Sequence, residues 1–189
     1  IARNGPVYFA PLKSTMIDGE GTLRLGWWKG NERLQADGVD VPVPRQAPVG
    51  EGPIAMLPDT FDVRRGVILE GRLRLPPSKQ AAPVGLYVEC GAEQGAAVRI
   101  DSGGLAQFGP MRADGSGFTV EKRVDRQMRF ADPVGFRLLL KDSLLEFYLD
   151  AVLIECFSLP AGATGRIGLI PGGRDDAVHG LKAWEIAPH

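Results

Sequence analysis

Short apolar runs separated by turn residues follow one another from Phe61 to the end of the chain, and they limit the folds that this sequence can adopt. They recur at a spacing of about 8–12 residues, which is typical of an all-β sandwich or barrel. No window combines the period and the length of a helix. Parallel strands need long crossovers that are usually helical. We therefore expect an all-β fold of two packed antiparallel sheets. The candidate strands are Val67–Leu75, Leu86–Cys90, Ala96–Ile100, Leu105–Phe108, Phe118–Val124, Phe136–Lys141, Leu144–Leu149, Val152–Phe157, Gly165–Ile170 and Leu181–Ile186.

The composition supports this interpretation and narrows the range of partners. Of the 189 residues, 25 are glycine and 15 are proline, scattered without a period, as expected for a chain rich in turns. The 22 basic and 23 acidic residues leave a net charge of −1, which gives no long-range field to attract nucleic acid or an anionic membrane. No apolar stretch reaches the roughly 18 residues of a membrane-spanning helix. We therefore expect neither nucleic acid nor a membrane as a partner.

The first 58 residues are predicted to be an ordered N-terminal extension and connector, and residues 59–189 a sandwich domain. A strand is expected at Thr22–Trp28, after a turn at Asp18–Gly21. Residues 35–58 contain several prolines and glycines and are predicted to be irregular. The chain begins at Ile1, and residues 1–20 lack the layout of a signal peptide. We expect a piece of a longer protein, whose localisation this sequence leaves open.

Three consecutive strands between residues 136 and 157 can be worked out in detail, because Asp142-Ser143 and Asp150-Ala151 each predict a two-residue hairpin turn. These turns place residue 141 opposite 144, 139 opposite 146 and 149 opposite 152. One face of this meander is then entirely apolar and predicts the core side. It carries Phe136, Leu138, Leu140, Leu145, Phe147, Leu149, Val152, Ile154 and Cys156.

The other face of the meander mixes charged and apolar side chains, so we expect another element or a partner to cover part of it. It carries Arg137, Leu139, Lys141, Leu144, Glu146, Tyr148, Leu153, Glu155 and Phe157. This register places Glu146 directly opposite Glu155, and two carboxylates so close repel unless they are neutralised. Three interpretations follow: a surface network with Arg137, Lys141 or Arg166, a site for sugar hydroxyls or a cation, or a catalytic pair.

The run FRLLLKDSLLEFYLDAVLIECFSLPAGATGRIGLI at 136–170 resembles the C-terminal β-sandwich of glycoside hydrolase family 32, the invertase and fructan hydrolase family. Asp142-Ser143 corresponds to the family's turn, and Glu146-Phe147 to the strand that follows it. The segment YFAPLKSTMIDGEGTLRLGWWKGNERL at 8–34 is similar to the region that leaves the family's catalytic propeller. The resemblance implies a concanavalin A-like, jelly-roll sandwich that packs on a five-bladed propeller.

The family's catalytic motifs are not matched. The nucleophile motif Trp-Met-Asn-Asp-Pro-Asn-Gly has no counterpart, and Asp132-Pro133 follows Ala131 instead of the arginine of the Arg-Asp-Pro motif. The Glu-Cys dipeptide of the family's acid/base occurs as Glu89-Cys90 and Glu155-Cys156, but without the other two carboxylates neither glutamate has a partner in that role. We therefore predict no catalytic residues in this chain.

The sequence thus predicts a non-catalytic accessory sandwich that supports a catalytic propeller and binds carbohydrate, such as a fructan-like oligo- or polysaccharide. The alternatives are a free-standing carbohydrate-binding module and a small sandwich glycosidase that uses Glu146 and Glu155. Because aromatic rings suit sugar CH groups and charged side chains suit hydroxyls, the candidate ligand-binding residues are Trp27, Trp28, Arg137, Glu146, Tyr148 and Glu155.

Other residues fit structural roles. The two cysteines, Cys90 and Cys156, lie in apolar runs and are expected to be buried thiols, and Trp184 is expected in the core of the last strand. No cofactor and no His/Cys metal site are predicted. Oxygen ligands for a structural Ca²⁺ could come from Asp101, Asp114 and Asp175-Asp176, although turn chemistry explains each aspartate without a metal.

Overall fold

The computed structural model describes residues 10–44, 54–124, 130–159 and 162–187. Within these ranges the chain forms strands and one short 3₁₀ helix, Lys29–Leu34. No helix in this part of the chain is long and apolar enough to cross a membrane. The strands are β1 (Lys13–Ile17), β2 (Leu23–Trp27), β3 (Gln35–Asp40), β4 (Ala55–Thr60), β5 (Val67–Leu73), β6 (Val84–Glu89), β7 (Gln94–Ile100), β8 (Ala106–Arg112), β9 (Lys122–Val124), β10 (Val134–Lys141), β11 (Leu144–Leu149), β12 (Val152–Ser158), β13 (Arg166–Ile170) and β14 (Val178–Ile186).

The strands form two sheets, and every pairing among the described residues is antiparallel. One sheet has eight strands in the order β1-β2-β12-β11-β10-β5-β14-β3, and the other has six in the order β4-β13-β6-β7-β8-β9. The predicted all-β, two-sheet antiparallel sandwich of the jelly-roll type is therefore confirmed. The sheets pack face to face because alternate residues of each strand turn inward and remove apolar area from water.

Aromatic side chains occupy the centre of the core between the sheets. Phe147 of β11 is fully buried and stacks against Phe136 of β10, with ring centroids 6.4 Å apart. It also meets Phe108 of the six-stranded sheet edge to face at 6.3 Å. These rings join the two sheets, because each touches a neighbour on its own sheet or across the interface.

The predicted meander is confirmed along β10 and β11, where residue 139 pairs with 146 and 141 with 144. Residue 149 pairs with 152 across the second turn, as predicted. The register then shifts at a β-bulge between the 148–153 and 147–155 pairs. Because side chains alternate with a period of two, one extra residue in β12 reverses the facing of every residue after it.

The bulge corrects three assignments in the second half of β12. Glu155 lies opposite Phe147, so the predicted pairing of Glu146 with Glu155 is wrong, and Glu146 lies opposite Cys156 instead. Cys156 is exposed and not part of the core. Phe157 turns inward, where its ring meets Phe108 edge to face at 5.6 Å.

The N-terminal residues supply strands at both edges of the eight-stranded sheet. The hairpin β1–β2 extends one edge beside β12, and β3 extends the other beside β14. The 3₁₀ helix Lys29–Leu34 joins β2 to β3, and its residues Asn31 and Leu34 line a cleft with Leu139 of the outer face of this sheet, the face turned away from the six-stranded sheet. The mixed face of the meander is thus partly covered by another element, as predicted.

The interpretation of residues 35–58 as irregular is wrong for two stretches, which form β3 and β4. Their sequences, QADGVD and AMLPDT, contain a glycine and a proline, residues that normally weaken a strand. Both strands lie at sheet edges, where proline and glycine are tolerated. The strand β1 was also not predicted, whereas the expected strand at 22–28 is confirmed as β2.

The turn between β11 and β12 offers a test of local strain. Asp150 and Ala151 have φ angles of +43° and +65°, the left-handed region that a type I′ turn requires and that disfavours alanine. We expect Ala151→Gly to raise the free energy of unfolding by about 0.5 kcal/mol, because relief of strain exceeds the added chain entropy. Urea denaturation measures this change.

The matched control is the same substitution in a strand. Ala97 is buried in β7, and Ala97→Gly is expected to lower the free energy of unfolding by about 1 kcal/mol. Equal losses of stability in the two variants would contradict a strained turn.

Candidate functional site

A second, smaller apolar cluster lies on the outer face of the eight-stranded sheet. Trp27 of β2 and Tyr148 of β11 meet edge to face with ring centroids 5.5 Å apart. Ile68 and Leu139 are buried beside them. Partly buried side chains that complete this cluster are Leu144, Leu153, Trp184 and Ile186. The outer face of the sheet therefore has an apolar cluster against which polar side chains pack in fixed positions.

Glu146 is sealed inside this cluster, with none of its side chain exposed. The Lys13 ammonium donates to both carboxylate oxygens at 2.9 Å, and the Tyr148 hydroxyl donates to Oε2 at 2.6 Å. Burial raises the pKa of Tyr148, and the hydrogen bond to the Glu146 carboxylate raises it further. With its oxygens occupied and no exposed surface, Glu146 positions its neighbours instead of meeting a ligand.

Arg137 bridges the aromatic cluster and the more exposed part of the face. Its guanidinium lies over the Trp27 ring at 4.2 Å, and its Nε donates to Glu70 Oε1 at 2.6 Å. Gln35 of β3 donates to the same oxygen at 3.1 Å. Glu70 lies opposite Arg137 of β10 on one side and opposite Lys182 of β14 on the other. The three residues therefore form a row of alternating charges across β10, β5 and β14. Trp27 and Glu70 thus hold the guanidinium plane in one orientation.

A groove of about 360 Å³ opens on this face beside the charged row, and we call it the outer groove. Glycines line it, and Gly180 leaves open space there. Gly135 lies opposite Arg72, and a side chain at Gly180, in the irregular part of β14, would meet no atom within 4 Å. The side chains that surround this space are Glu70, Arg72, Arg137, Asp150, Lys182 and Trp184.

Trp184 gives the outer groove its aromatic surface. Its strand partner in β3 is Gly38, and a Cβ there would lie 2.4 Å from the indole nitrogen, so only glycine allows this approach. The Lys182 ammonium lies 5.4 Å from the centre of the Trp184 ring. Trp184 is only half-buried, which corrects its predicted place in the core.

A second cleft, of about 680 Å³, lies under the 3₁₀ helix. Trp28 lines it and is 46% exposed, with its ring packed so closely over Gly30 that a Cβ there would overlap the indole. Asn31 is buried and donates from Nδ2 to the Leu12 carbonyl at 2.7 Å, which fixes the segment before β1. The apolar lining of this cleft includes Leu12, Leu34, Leu144 and Ile186.

The structure brings four of the six predicted ligand residues together: Trp27, Arg137, Glu146 and Tyr148. Only Arg137 lines the outer groove. Trp28 belongs to the second cleft. Glu155 reaches instead toward the six-stranded sheet, where Lys122 donates to its carboxylate at 3.3 Å.

Sequence reasoning missed most of the outer groove, namely Glu70, Arg72, Asp150, Lys182 and Trp184. The alternation of Glu70 and Arg72 in β5 and of Lys182 and Trp184 in β14 indicates shared faces. Their meeting depends on β5 pairing with β10 and β14, strands far away in sequence. No local signal determines that order.

Neither loop aspartates nor cysteines form a metal cluster: across the ranges that the structure describes, no three His, Cys, Asp or Glu side chains converge. Asp101 accepts hydrogen bonds from the backbone of Gly103 and Leu105, as a turn residue does. Asp114 does the same for Ser116. Both cysteines are free, and burial raises the pKa of the Cys90 thiol to about 11.

No protein-family model and no curated protein sequence matches this chain significantly. Solved structures share its fold. A sucrose-6-phosphate hydrolase from Lactobacillus gasseri aligns over 93% of this chain at 13% identity with a TM-score of 0.54. A beta-fructofuranosidase from Aspergillus kawachii, complexed with glycerol, aligns over 89% at 11% identity, also with a TM-score of 0.54.

This chain covers only 33% and 31% of those two proteins, about a third of their length. A variant of human galectin-16 is covered over 99% of its length, and it aligns over 78% of this chain at 13% identity with a TM-score of 0.51. At such identities the likeness establishes the sandwich fold alone.

Proposed function

We propose that this chain is a non-catalytic sandwich module that binds carbohydrate in the outer groove and accompanies a glycoside hydrolase of the family 32 type. The observation that carries the proposal is the combination, in one groove, of the half-buried Trp184 indole with fixed charged groups. Sugars present CH groups to an aromatic ring and hydroxyls to charged hydrogen-bonding groups. Arg137 and Glu70 suit the second task because their mutual hydrogen bonds fix both before a ligand arrives.

In this proposal the residues on the outer face have different roles: one contacts the ligand and others position it. Arg137 contacts the sugar, while Trp27, Tyr148 and Glu146 lie below and hold it in place. Trp28 lines the second cleft, and neither Trp28 nor Glu155 has a part in the outer groove. The sandwich glycosidase alternative loses its pair of carboxylates, because Glu146 is sealed and Glu155 lies opposite Phe147.

Exposed apolar residues of the hairpin β1–β2 support the accessory role. Ile17 and Leu23 are 73% and 65% exposed, and Met16 and Leu25 are also exposed on the same hairpin. Apolar side chains gathered at a sheet edge are typical of a surface that meets a partner. Two fold neighbours that are about three times as long as this chain are a sucrose-6-phosphate hydrolase and a beta-fructofuranosidase. We propose that a catalytic propeller covers this hairpin, and that residues 1–58 are an N-terminal extension and connector whose strands β1–β3 join the sheet of the sandwich at 59–189.

Carbohydrate binding is tested by a glycan array followed by titration calorimetry, with sucrose and inulin and levan fragments included. We expect Trp184→Ala to weaken binding of a positive glycan about tenfold, because the ring face is lost. Trp28→Ala removes a partly exposed indole outside the outer groove and should leave that affinity unchanged. Near-UV circular dichroism checks that both variants are folded.

Two results would contradict this proposal. Absence of binding to any glycan would remove the carbohydrate role and leave docking to a propeller as the function. Equal losses in the two tryptophan variants would place the binding site elsewhere.

A further inference from the structure

We infer that the outer groove selects glycans that carry a negatively charged group, a carboxylate, sulfate or phosphate, over neutral glycans of the same size. This inference rests on the proposed carbohydrate role and adds the class of ligand. It follows from the charged side chains that line the groove, three cations (Arg72, Arg137 and Lys182) and two carboxylates (Glu70 and Asp150).

The two acidic side chains of the outer groove already have partners. Glu70 is neutralised by Arg137, whose Nε lies 2.6 Å from its Oε1. Asp150 accepts hydrogen bonds from the backbone N–H of Gly135 at 2.9 Å and of Ala131 at 3.4 Å. The positive charge of Arg137 therefore neutralises Glu70. The Asp150 carboxylate is bound by backbone N–H groups at the start of β10 and in the loop before it.

Two cationic side chains remain at the outer groove. Among the described residues, neither Arg72 nor Lys182 forms an ion pair, and both are exposed. They lie on neighbouring strands, since β5 pairs with β14. Lys182 also lies opposite Asp40 of β3, with which it forms no ion pair. His179 lies opposite Arg72 but is not one of the residues that line the groove. An anionic group in the groove would thus meet two cations without first displacing a protein carboxylate.

The geometry also links charge recognition to the aromatic surface. The Lys182 ammonium lies 5.4 Å from the centre of the Trp184 ring, so an anion that pairs with Lys182 brings its sugar ring against the indole. Gly180 leaves room at the groove for that ring, because a Cβ there would meet no atom within 4 Å. A neutral glycan would make the same ring contact but would gain no ion pair.

The test compares ligands that differ only in charge. Oligogalacturonate is titrated against its methyl ester, which keeps the sugar and removes the negative charge. At about 50 mM salt we expect the acid to bind about tenfold more tightly, and the preference to shrink as salt screens exposed ion pairs. Sulfated and phosphorylated oligosaccharides, run in parallel, identify which anionic group fits best.

Charge-removing variants locate the effect. Arg72→Gln and Lys182→Gln should each lower the affinity for the acid about threefold to tenfold more than the affinity for the ester. Arg112→Gln is the matched control, because Arg112 is an exposed arginine that pairs with Asp114 away from the groove. It should change neither affinity.

The outcomes separate this inference from the proposed function. Equal affinity for acid and ester, with binding still lost in Trp184→Ala, overturns the anionic selectivity and keeps the carbohydrate role. A preference for the acid that survives both glutamine variants also overturns the inference. Binding of no glycan at all overturns both proposals.

Discussion

Replacement of Lys13 by methionine is expected to lower the free energy of unfolding by about 3–5 kcal/mol. Lys13 is the cation that neutralises Glu146, whose side chain has no exposed surface. Methionine would fill a similar volume but leave the carboxylate buried with the Tyr148 hydroxyl as its hydrogen-bond donor. An unpaired buried charge costs far more than the loss of a surface ion pair. Urea denaturation followed by tryptophan fluorescence measures the change.

A matched control and a double variant make this prediction specific. Lys122→Met breaks the partly exposed pair with Glu155 and is expected to cost less than about 1 kcal/mol. Combining Lys13→Met with Glu146→Leu removes the buried charge along with its partner, and should recover most of the lost stability. If Lys13→Met and Lys122→Met proved equally mild, Glu146 would not depend on Lys13.

Truncation of Phe147 to alanine is expected to cost about 3–5 kcal/mol, because it leaves a cavity where three aromatic rings now meet. The Phe147 side chain is fully buried and contacts Phe136 on its own sheet and Phe108 on the other. The two sheets would lose contact across the middle of the sandwich. Chemical denaturation of the variant gives the size of the loss, and its m-value shows whether the native state stays compact.

Phe157 provides the comparison for this substitution. It meets the same Phe108 ring but is only partly buried. Phe157→Ala should therefore cost roughly half as much, since less apolar area returns to water. A larger loss for Phe157→Ala than for Phe147→Ala would mean that the centre of the core lies nearer to β12.

The sequence predicted those parts of the fold that depend on neighbouring residues. Two-residue turns at Asp142-Ser143 and Asp150-Ala151 determine the pairing of β10 with β11 and the start of the pairing of β11 with β12. The bulge in β12 was not predictable, because ECF continues the alternation that the preceding residues establish. One inserted residue there separated Glu155 from Glu146 and exposed Cys156.

The sequence predicted only the part of the candidate site that lies on one face of the meander. Arg137, Glu146 and Tyr148 share the outer face because their strands are joined by short turns. The sequence did not predict the burial of Glu146, because its partner Lys13 belongs to a hairpin more than a hundred residues earlier. The exposed cations of the outer groove, Arg72 and Lys182, depend on long-range pairing of β5 with β14.

The position of the first strands at both edges of the eight-stranded sheet has a consequence for biosynthesis. β2 and β3 leave the ribosome before their partners β12 and β14, which follow more than a hundred residues later. At typical translation rates the delay is on the order of ten seconds. During this delay the apolar hairpin has no sheet to join. The nascent chain therefore exposes an unpaired, apolar strand edge to which a chaperone can bind. The pairings of β2 with β12 and of β3 with β14 join residues that are far apart in the sequence, and contacts of this kind slow folding.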